Sequence, residues 1–431
     1  MSITRRDFMT TTATATIAAT LPRRAFGIGR PDADPIRIGV IGCGGRGTGA
    51  ARDALTASEN VSIVALGDLF PDKLQRSREQ FARMLADQPS LAPRFQVTDE
   101  RSFTGFDAID KVLAADIDLA ILATPPAFRA AHLTRAIAAG KHVFMEKPVA
   151  VDVATALEVI EASERAAARN LAIVAGTQRR HDPRYAETIK RLHDGAIGDI
   201  ITGQVYWNQG GLWNYPRQPE WSDVEWQLRN WLYFTWLSGD HIVEQHVHNI
   251  DVANWVMGGE PVRALASGGR QVRTNPDYGH IYDHFTVEFE YADGRKVLSM
   301  SRQQDGTASK VGEMFQGSRG SSNAYNRIDG PSAWQHPDMP GLNPYVEEHR
   351  ALHASIRAGK PLNEGRRIAM STLTAIMGRE SAYTGQPVTM EELIASRQSI
   401  LPPAVEFGKL PVPPVPMPGE TRLDRNFDQG W

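Results

Sequence analysis

The sequence is poor in groups that cross-link a chain or attract a polyanion. Its 431 residues include one cysteine, Cys43, which excludes an intramolecular disulfide and a cluster of thiolate metal ligands. The 47 basic and 50 acidic residues give a formal net charge of -3, so no overall field favours nucleic acid. We therefore expect a small, uncharged partner and no nucleic acid, and stability must come from burial of apolar side chains.

Apolar runs long enough to form a transmembrane helix are also missing. The N-terminal candidate, Phe8 to Leu21, is too short and too rich in threonine to cross a hydrocarbon core of about 30 Å, so we expect no stable membrane anchor. It overlaps Thr4 to Thr10, T-R-R-D-F-M-T, which resembles a twin-arginine export signal, although an amphipathic helix with two chance arginines has the same pattern. We assign residues 1–34 to a signal and linker and predict export to the periplasm or another extracytoplasmic compartment.

A strand, a glycine-rich turn and a helix open the remaining sequence. From Ile36 the chain reads I-R-I-G-V-I-G-C-G-G-R-G-T-G-A-A-R-D-A-L. In the pattern G-x-G-x-x-G, the first glycine permits a tight turn, the second lets the backbone approach a pyrophosphate, and the third lets helix and strand pack closely. A single match is weak evidence, because such a loop can be a plain turn. The predicted cofactor-binding residues of this loop are Gly42, Gly44, Gly45, Arg46 and Gly47.

An acidic residue follows the second predicted strand, Val61 to Leu66. A carboxylate at Asp68 can accept hydrogen bonds from the adenosine ribose hydroxyls. Because it would repel a 2′-phosphate, Asp68 favours NAD over NADP as the cofactor. The alternative is that Asp68 caps a helix before Leu69.

A third strand and helix repeat this rhythm. Ile117 to Ala123 is a buried type of strand, Thr124-Pro125-Pro126 breaks it, and Ala130 to Ala139 is helical. The segment His142 to Pro148, H-V-F-M-E-K-P, follows. Alternation of this kind predicts a parallel, doubly wound sheet that binds ligands at the carboxyl ends of its strands, where the T-P-P and E-K-P segments lie.

The glycine motif, the T-P turn, A-G-K-H-V and E-K-P, in this order and spacing, resemble the glucose-fructose oxidoreductase, inositol dehydrogenase and MocA family (Gfo/Idh/MocA). The likeness runs from about Pro35 to about Gln386. It implies an N-terminal NAD(P)-binding Rossmann domain, residues 35–150, and a C-terminal α/β domain with an open-faced, mostly antiparallel sheet, residues 151–400. The resemblance makes an oxidoreductase the expected class of enzyme.

The same resemblance implies roles for individual residues. Lys147 would lie close to the nicotinamide and the substrate. Many family members have a histidine near the start of the helix after the T-P turn, where this chain has Arg129. The cofactor-binding residues implied in this part of the chain are Thr124, Pro125, Arg129, Glu146 and Lys147.

Period-two strands follow in the second domain. A segment from Val174 to Pro183 resembles the family's entry into the substrate domain, and its Arg180 is a predicted substrate-binding residue, although an exposed loop would fit the same letters. Strands Asp199 to Tyr206 and His284 to Tyr291 alternate, and a turn leads the latter into Lys296 to Ser301. An open sheet face in a soluble protein predicts a homodimer or homotetramer.

The segment Gly239 to Asp251, G-D-H-I-V-E-Q-H-V-H-N-I-D, resembles the family's D-x-x-x-H motif, with Glu244 in the aspartate position and His248 in that of the catalytic histidine. On one helix these two side chains would share a face, so the carboxylate could orient the imidazole. Asp251 could support His248 in the same way. We include His246 and Asn249 among the substrate-binding residues.

The histidines of this segment also allow a rival interpretation, in which His241, Glu244, His246 and His248 bind a metal. Their spacing is poor for that purpose, because His246 and His248 would point about 200° apart on a helix. We predict no metal.

Tryptophan is concentrated in thirty residues of the second domain. Aromatic faces stack on sugar rings while amides bind hydroxyls, so this cluster favours a carbohydrate site, and core packing is the alternative. We include Trp231 and Tyr233 among the substrate-binding residues. The clustered tryptophans are Trp207, Trp213, Trp221, Trp226, Trp231 and Trp236.

The C-terminal segment, residues 401–431, is rich in proline. We expect it to form an extended arm that lies on its own chain or on a neighbour.

These observations predict an NAD-dependent oxidoreductase acting on a secondary alcohol of a sugar, sugar acid or glycoside, with a tightly bound cofactor. Lys147 would stabilise negative charge on oxygen or relay a proton, His248 would act as acid and base, and Glu244 would tune it. One alternative is a glycosidase that oxidises its substrate transiently. Another is a metal-dependent or non-catalytic sugar-binding protein.

Overall fold

The structure is a computed structural model that describes residues 34–427. The twin-arginine segment predicted at Thr4 to Thr10 lies outside the described residues. Within them, no helix combines the length and the apolar character that crossing a bilayer requires.

The first domain is a parallel sheet of six strands in the order β3-β2-β1-β4-β5-β6, flanked by helices. Its strands are rich in isoleucine, leucine and valine and almost wholly buried, as parallel strands covered on both faces must be. The strands are β1 Ile36–Ile41, β2 Val61–Asp68, β3 Ser102–Thr104, β4 Leu119–Leu122, β5 His142–Met145 and β6 Ile173–Ala175. The helices are α1 Gly45–Ala57, α2 Pro71–Asp87, α3 Ala108–Ala114, α4 Arg129–Ala138 and α5 Val153–Ala168.

This strand order confirms the doubly wound sheet and puts its reversal between β1 and β4, where such folds bind ligands. Strand β6 lies beyond residue 150, the boundary we predicted for this domain. It pairs in parallel with β5, so the chain completes the first sheet before it builds the second.

The second domain contains a nine-stranded sheet in the order β14-β13-β12-β11-β7-β10-β9-β8-β15. Every pair in it is antiparallel except β7 with β10. The strands are β7 Ile200–Gln209, β8 Arg263–Gly269, β9 His284–Glu290, β10 Lys296–Gln303, β11 Lys310–Gly317, β12 Ser321–Ser322, β13 Arg327–Asp329, β14 Trp334–Gln335 and β15 Val388–Thr389. The helices are α6 Pro183–His193, α7 Asp223–Arg229, α8 Thr235–Ser238, α9 His241–Glu244, α10 Val247–Met257, α11 Pro344–Arg357, α12 Gly365–Thr384 and α13 Met390–Ser396.

One face of this sheet packs on helices and the other is open, as the period-two pattern predicts. In β9, Phe285, Val287 and Phe289 are buried while the alternate residues are half-exposed. On the open face, Leu265 pairs with Glu288 and Glu288 with Leu298, and both leucines are exposed. Apolar side chains therefore remain on the outer surface of the sheet.

The described part of the C-terminal arm, residues 401–427, lies on its own chain without a regular helix. Its Pro416 carbonyl accepts a hydrogen bond of 2.8 Å from the Tyr282 hydroxyl. Arg425 reaches the core, where it contacts the buried carboxylate of Glu380, which also accepts a hydrogen bond of 2.8 Å from Arg379. The two guanidiniums hold the pKa of Glu380 below its usual value despite the opposing effect of burial. The arm is therefore part of the folded core.

Removal of the Arg425 guanidinium should destabilise the fold. Arg425→Ala leaves the fully buried Glu380 with one cation fewer, and breaking a buried ion pair in this way costs about 3–5 kcal/mol. The control is Arg422→Ala, because Arg422 pairs with Asp424 at the surface and should contribute little. Urea denaturation measures both variants, and equal midpoints would show that the arm does not stabilise the core.

Candidate active site

The glycine-rich turn joins β1 to α1 and depends on two close approaches. Gly42 has φ +94°, and a Cβ there would lie 2.5 Å from the carbonyl carbon of Ala123. A Cβ at Gly47 would lie 1.8 Å from the Gly42 carbonyl oxygen, so no side chain fits. By contrast, Gly44 and Gly45 have nothing within 4 Å of their Cβ positions. Their backbone is therefore open to a ligand at the start of the helix.

This open backbone lies in a cavity of about 490 Å³ at the carboxyl ends of the parallel strands. The cavity continues past the glycine loop to side chains of both domains. Seven of the predicted cofactor-binding residues line it: Gly42, Gly44, Gly45, Arg46, Asp68, Thr124 and Pro125.

Asp68 ends β2 at one side of this cavity. One carboxylate oxygen accepts a hydrogen bond of 2.6 Å from the Cys43 amide and the other accepts one of 2.9 Å from the Phe70 amide. Burial raises its pKa, although these bonds oppose the shift. The helix that follows begins at Pro71 with Phe70 as its N-cap, so Asp68 is not the cap. It joins the glycine turn to the end of β2.

Arg129 is not placed to bind a cofactor, which corrects the prediction. Its side chain is 1% exposed and donates hydrogen bonds of 2.5 Å to the Leu122 carbonyl and 2.7 Å to the Thr124 carbonyl. Arg129 therefore stabilises the turn after β4 through the carbonyl groups of its backbone. His132, which the sequence analysis did not select, lines the cavity instead and lies 3.2 Å from the Thr124 hydroxyl.

Glu146 also plays a different part from the predicted one. Its carboxylate is 5% exposed and accepts a hydrogen bond of 2.5 Å from Nε of Arg46, which lines the cavity. Arg46 lies 3.5 Å from Asp53 and 3.7 Å from Glu348 as well. Glu146 thus holds the arginine of the glycine turn rather than lining the cavity itself.

Lys147, the next residue, connects the two domains. Its ammonium donates a hydrogen bond of 2.6 Å to the Glu244 carbonyl and one of 3.0 Å to the Glu244 carboxylate. Both side chains are nearly buried. Because Lys147 follows β5 and Glu244 ends α9, this ion pair fixes the first domain against the helical segment that carries the histidine.

His248 lies at the start of α10, stacked on the Trp207 ring with 5.6 Å between centroids. It is 7% exposed, and its Nδ1 has no hydrogen-bond partner among the described residues. Burial lowers its pKa well below the usual value, and the positive charges of Lys147, Arg179 and Arg46 lower it further. The imidazole is therefore neutral at neutral pH and close to the lysine.

The predicted helical pairing of Glu244 with His248 is wrong. The helix stops at Glu244 and a new one begins at Val247, so the two residues are not one turn apart on a continuous helix. Glu244 contacts Lys147 instead. Asp251 does not support His248 either, because its carboxylate accepts hydrogen bonds from Arg180 and Arg367.

Four of the predicted substrate-binding residues contact other protein groups, although His246 Nδ1 and Asn249 Oδ1 have no hydrogen-bond partner among the described residues. Arg180 pairs with Asp251 at 2.8 Å. The His246 imidazole lies 2.7 Å from the Ser299 hydroxyl, and Asn249 donates a bond of 2.7 Å to Glu313. Tyr233 is fully buried and donates to backbone carbonyls. The four residues are Arg180, Tyr233, His246 and Asn249.

The tryptophan cluster divides between several environments. Trp226 and Trp236 lie in the core, as the alternative interpretation predicts. Trp207 stacks on His248, whereas Trp213 and Trp231 line the cavity beside the glycine turn. Trp231 therefore lines the same cavity as the glycine turn.

Sequence reasoning named Trp207 but did not predict the polar network that it forms beside His248. The Trp207 indole donates a hydrogen bond of 3.0 Å to Gln209, which donates one of 3.0 Å to Gln245. Arg179 lies above the Trp207 ring at 5.8 Å. The one sequence signal for Arg179 was its position in the segment that enters the second domain. Across residues 34–427, no three histidine, cysteine, aspartate or glutamate side chains are arranged to hold a metal ion.

A parallel sheet with an open glycine turn, an acidic residue after β2 and a lysine beside a neutral histidine defines a two-domain oxidoreductase with a Rossmann-type dinucleotide site. Comparison with known proteins makes this more specific. Residues 36–173 match the family model described as "Oxidoreductase family, NAD-binding Rossmann fold", and residues 185–321 match the "GFO/IDH/MocA C-terminal domain". The chain belongs to the Gfo/Idh/MocA family.

Curated relatives include two proteins named inositol 2-dehydrogenase. That of Acidothermus cellulolyticus is 29% identical over 246 residues, which are 56% of this chain and 60% of the relative. That of Gluconacetobacter diazotrophicus is 30% identical over 247 residues, 57% of this chain and 61% of the relative. The chain therefore spans about three fifths of the length of these relatives.

Solved structures share the fold at lower identity. The scyllo-inositol dehydrogenase of Lactobacillus casei superposes with a TM-score of 0.63 at 20% identity, over 83% of this chain and 99% of that one. The aldose-aldose oxidoreductase of Caulobacter crescentus gives 0.64 at 20% identity, over 82% and 99%. These likenesses support the two-domain architecture.

Substitution of the two kinds of glycine in the turn should have opposite effects. Gly44 has φ −70° and free space at its Cβ position, so Gly44→Val should keep its unfolding midpoint but lose nucleotide binding at concentrations that saturate the wild type. Gly47→Ala forces a methyl group onto the Gly42 carbonyl and should cost about 1–3 kcal/mol of stability. Calorimetric titration and urea denaturation measure both. Normal nucleotide affinity in Gly44→Val would rule out this turn as the phosphate site.

Proposed function

We propose that the protein is an NAD-dependent oxidoreductase that acts on a secondary alcohol of a sugar or polyol and keeps its cofactor bound. The observation that carries the proposal is the meeting of Lys147, from the first domain, with the segment that holds Glu244 and His248 in the second. Glu146 and Arg46 connect this cluster to the dinucleotide cavity. Cofactor and substrate groups would therefore share one cleft.

The cavity fits a dinucleotide. The bare backbone at Gly44 and Gly45 admits a pyrophosphate, and Arg46 supplies a positive charge beside it. Each carboxylate oxygen of Asp68 has a second lone pair for a ribose hydroxyl, which favours NAD over NADP. When bound, the nicotinamide supplies hydride transfer.

The chain's own residues handle the proton and the charge on oxygen. A neutral His248 can take the proton from a substrate hydroxyl, and the same group returns it in the reverse direction. The Lys147 ammonium donates hydrogen bonds and can stabilise negative charge on that oxygen. Glu244 holds Lys147 in place, so we propose that it acts through the lysine and not through the histidine.

Two observations support a polyhydroxylated substrate. The amides of Gln209 and Gln245 form a hydrogen-bonded network next to Trp207 and His248, and such side chains suit hydroxyl groups. Family relatives are named as dehydrogenases of inositol, a ring of secondary alcohols. We therefore favour a cyclic polyol or a sugar ring.

Lys147→Ala and His248→Ala should each lower kcat by about 10²- to 10⁴-fold while nucleotide affinity changes little, because both act at the reacting oxygen.

The pH dependence of the wild type should report the state of His248. The apparent pKa on the acid side of the kcat/KM profile for alcohol oxidation should lie below about 6.5, because a depressed pKa keeps the imidazole neutral to lower pH. Steady-state kinetics over pH test both statements, with His336→Ala as a control outside the site. Near-normal turnover in both variants would reject this cluster as the reacting centre.

We also propose that the protein is exported folded with its cofactor, because the N-terminal sequence resembles a twin-arginine signal and no nucleotide pool exists outside the cytoplasm to replace a lost NAD. The protein should then purify with NAD(H) that survives extensive dialysis, and it should turn over without added nucleotide. Mass spectrometry of the native protein measures the bound cofactor. Protein that needs millimolar free NAD, or a mature N-terminus that retains Arg5 and Arg6, would contradict this proposal.

The open face of the second sheet supports self-association as a homodimer or homotetramer. Leu265, Leu298 and Met314 are exposed on it, in a row that crosses five strands together with Glu288 and Gln204. Apolar groups at this density suit an interface between copies. Light scattering of the purified protein measures its mass, and a monomer would exclude this role for the face.

A further inference from the structure

The dinucleotide cavity has a wall that comes from the second domain. Trp213 and Tyr215, which lie between β7 and α7, line it together with Phe106 of the first domain. Trp213 is 39% exposed and Phe106 is 43% exposed, whereas Trp226 and Trp236 of the same region are buried in the core. The cavity therefore presents uncovered aromatic surface to whatever occupies it.

This wall is held in a fixed position by its own domain. The Tyr233 hydroxyl donates a hydrogen bond of 2.9 Å to the Trp213 carbonyl, and the Tyr215 amide donates one of 3.0 Å to the Asn230 side chain. The Trp213 ring lies 5.1 Å from that of Tyr215 and 5.8 Å from that of Trp231. The aromatic side chains thus form a preorganised surface.

Contacts with the first domain place the wall at the adenosine end of the cavity. Arg229 donates a hydrogen bond of 3.0 Å to Asp72 and its guanidinium lies 3.9 Å from the centre of the Phe70 ring. The Lys73 ammonium lies 5.3 Å from the centre of the Tyr215 ring. These first-domain residues follow Asp68, and in a Rossmann fold the residue after β2 binds the adenosine ribose.

The C-terminal arm adds a second layer over the same end. The Phe407 ring lies 5.1 Å from Phe106 and 6.1 Å from Phe70, and both of those rings line the cavity. The arm is fixed beside the wall by a hydrogen bond of 3.2 Å from the Val224 amide to the Gly408 carbonyl. Segments from three parts of the chain therefore meet around this end of the cavity.

We propose that the adenosine half of the cofactor is bound between the two domains, with Trp213 and Tyr215 as a stacking surface and Arg229 fastening that surface to the first domain. An adenine ring is a flat aromatic group that can cover exposed tryptophan, and stacking of a base on an aromatic side chain stabilises binding appreciably. The inference rests on the proposed binding of a dinucleotide. It would give slow cofactor release a structural cause, because the Arg229 contacts join the two domains at this end of the cavity.

The test measures release of NADH from the full-length protein. Each protein is loaded with NADH and mixed with excess ADP-ribose, and the decay of bound NADH fluorescence gives the dissociation rate. Trp213→Ala should release NADH roughly 5- to 150-fold faster than the wild type, since lost stacking appears mainly in the off-rate. Trp213→Phe, which keeps an aromatic face, should stay near the wild-type rate.

Further variants separate the wall from general damage to the fold. Trp334→Ala, in β14 and outside the cavity lining, should leave the release rate unchanged. Arg229→Met should release NADH faster because it loses the bond to Asp72, and Tyr215→Ala provides a second wall variant if Trp213→Ala does not fold. Release of reduced nicotinamide mononucleotide, which lacks adenosine, should be the same in Trp213→Ala and the wild type.

The outcomes distinguish this proposal from the proposed function. If wild-type protein binds NADH, and Trp213→Ala and Tyr215→Ala release it at the wild-type rate, the adenosine site is overturned while the oxidoreductase assignment stands. If Trp213→Ala accelerates release of the mononucleotide as much as that of NADH, the wall contacts the nicotinamide half and this proposal is wrong. If the wild type binds neither NADH nor ADP-ribose, the proposed function fails as well.

Discussion

The ion pair between Lys147 and Glu244 is the contact on which the arrangement of the two domains around His248 depends. It joins the end of β5 to the end of α9, and its charges are almost entirely removed from solvent. A buried charge is stable only when it is paired, so each partner fixes the position of the other. Because His248 lies at the start of α10, the helix that follows α9, this contact holds the first domain beside the segment that carries the histidine.

A second set of charges lies behind the first. Arg46 is surrounded by the carboxylates of Glu146, Asp53 and Glu348, and Glu348 has no exposed surface. Burial, with the negative charge of Glu146 nearby, raises the pKa of Glu348 well above its usual value. The glycine turn therefore carries an arginine whose orientation is fixed by side chains from distant parts of the chain.

Local patterns predicted the features that depend on local geometry. Gly42 and Gly47 have the steric roles that their spacing suggests, and β9 alternates as its sequence does. Long-range partners could not be predicted in this way. Arg180 and Asp251 are 71 positions apart, and neither sequence nor charge indicated that they would pair.

The break between α9 and α10 was missed for a related reason. A four-residue spacing of Glu244 and His248 fits a continuous helix, and no proline or glycine interrupts the sequence there. The interruption is imposed by tertiary contacts, among them the bond from Lys147 to the Glu244 carbonyl. The tryptophans show the same limit. Their concentration in one segment is visible in the sequence, but only the tertiary packing determines which of them lie in the core and which line the cavity.

The position of the arm in the chain bears on how the molecule matures. Phe407 and Arg425 leave the ribosome only after both domains have been synthesised, yet one covers the rim of the cavity and the other neutralises Glu380 in the core. Until then, Glu380 has Arg379 as its arginine partner and the rings of Phe70 and Phe106 lack their outer layer. Completion of the core around Glu380 and packing of Phe407 beside the cavity are therefore late events in the synthesis of each chain.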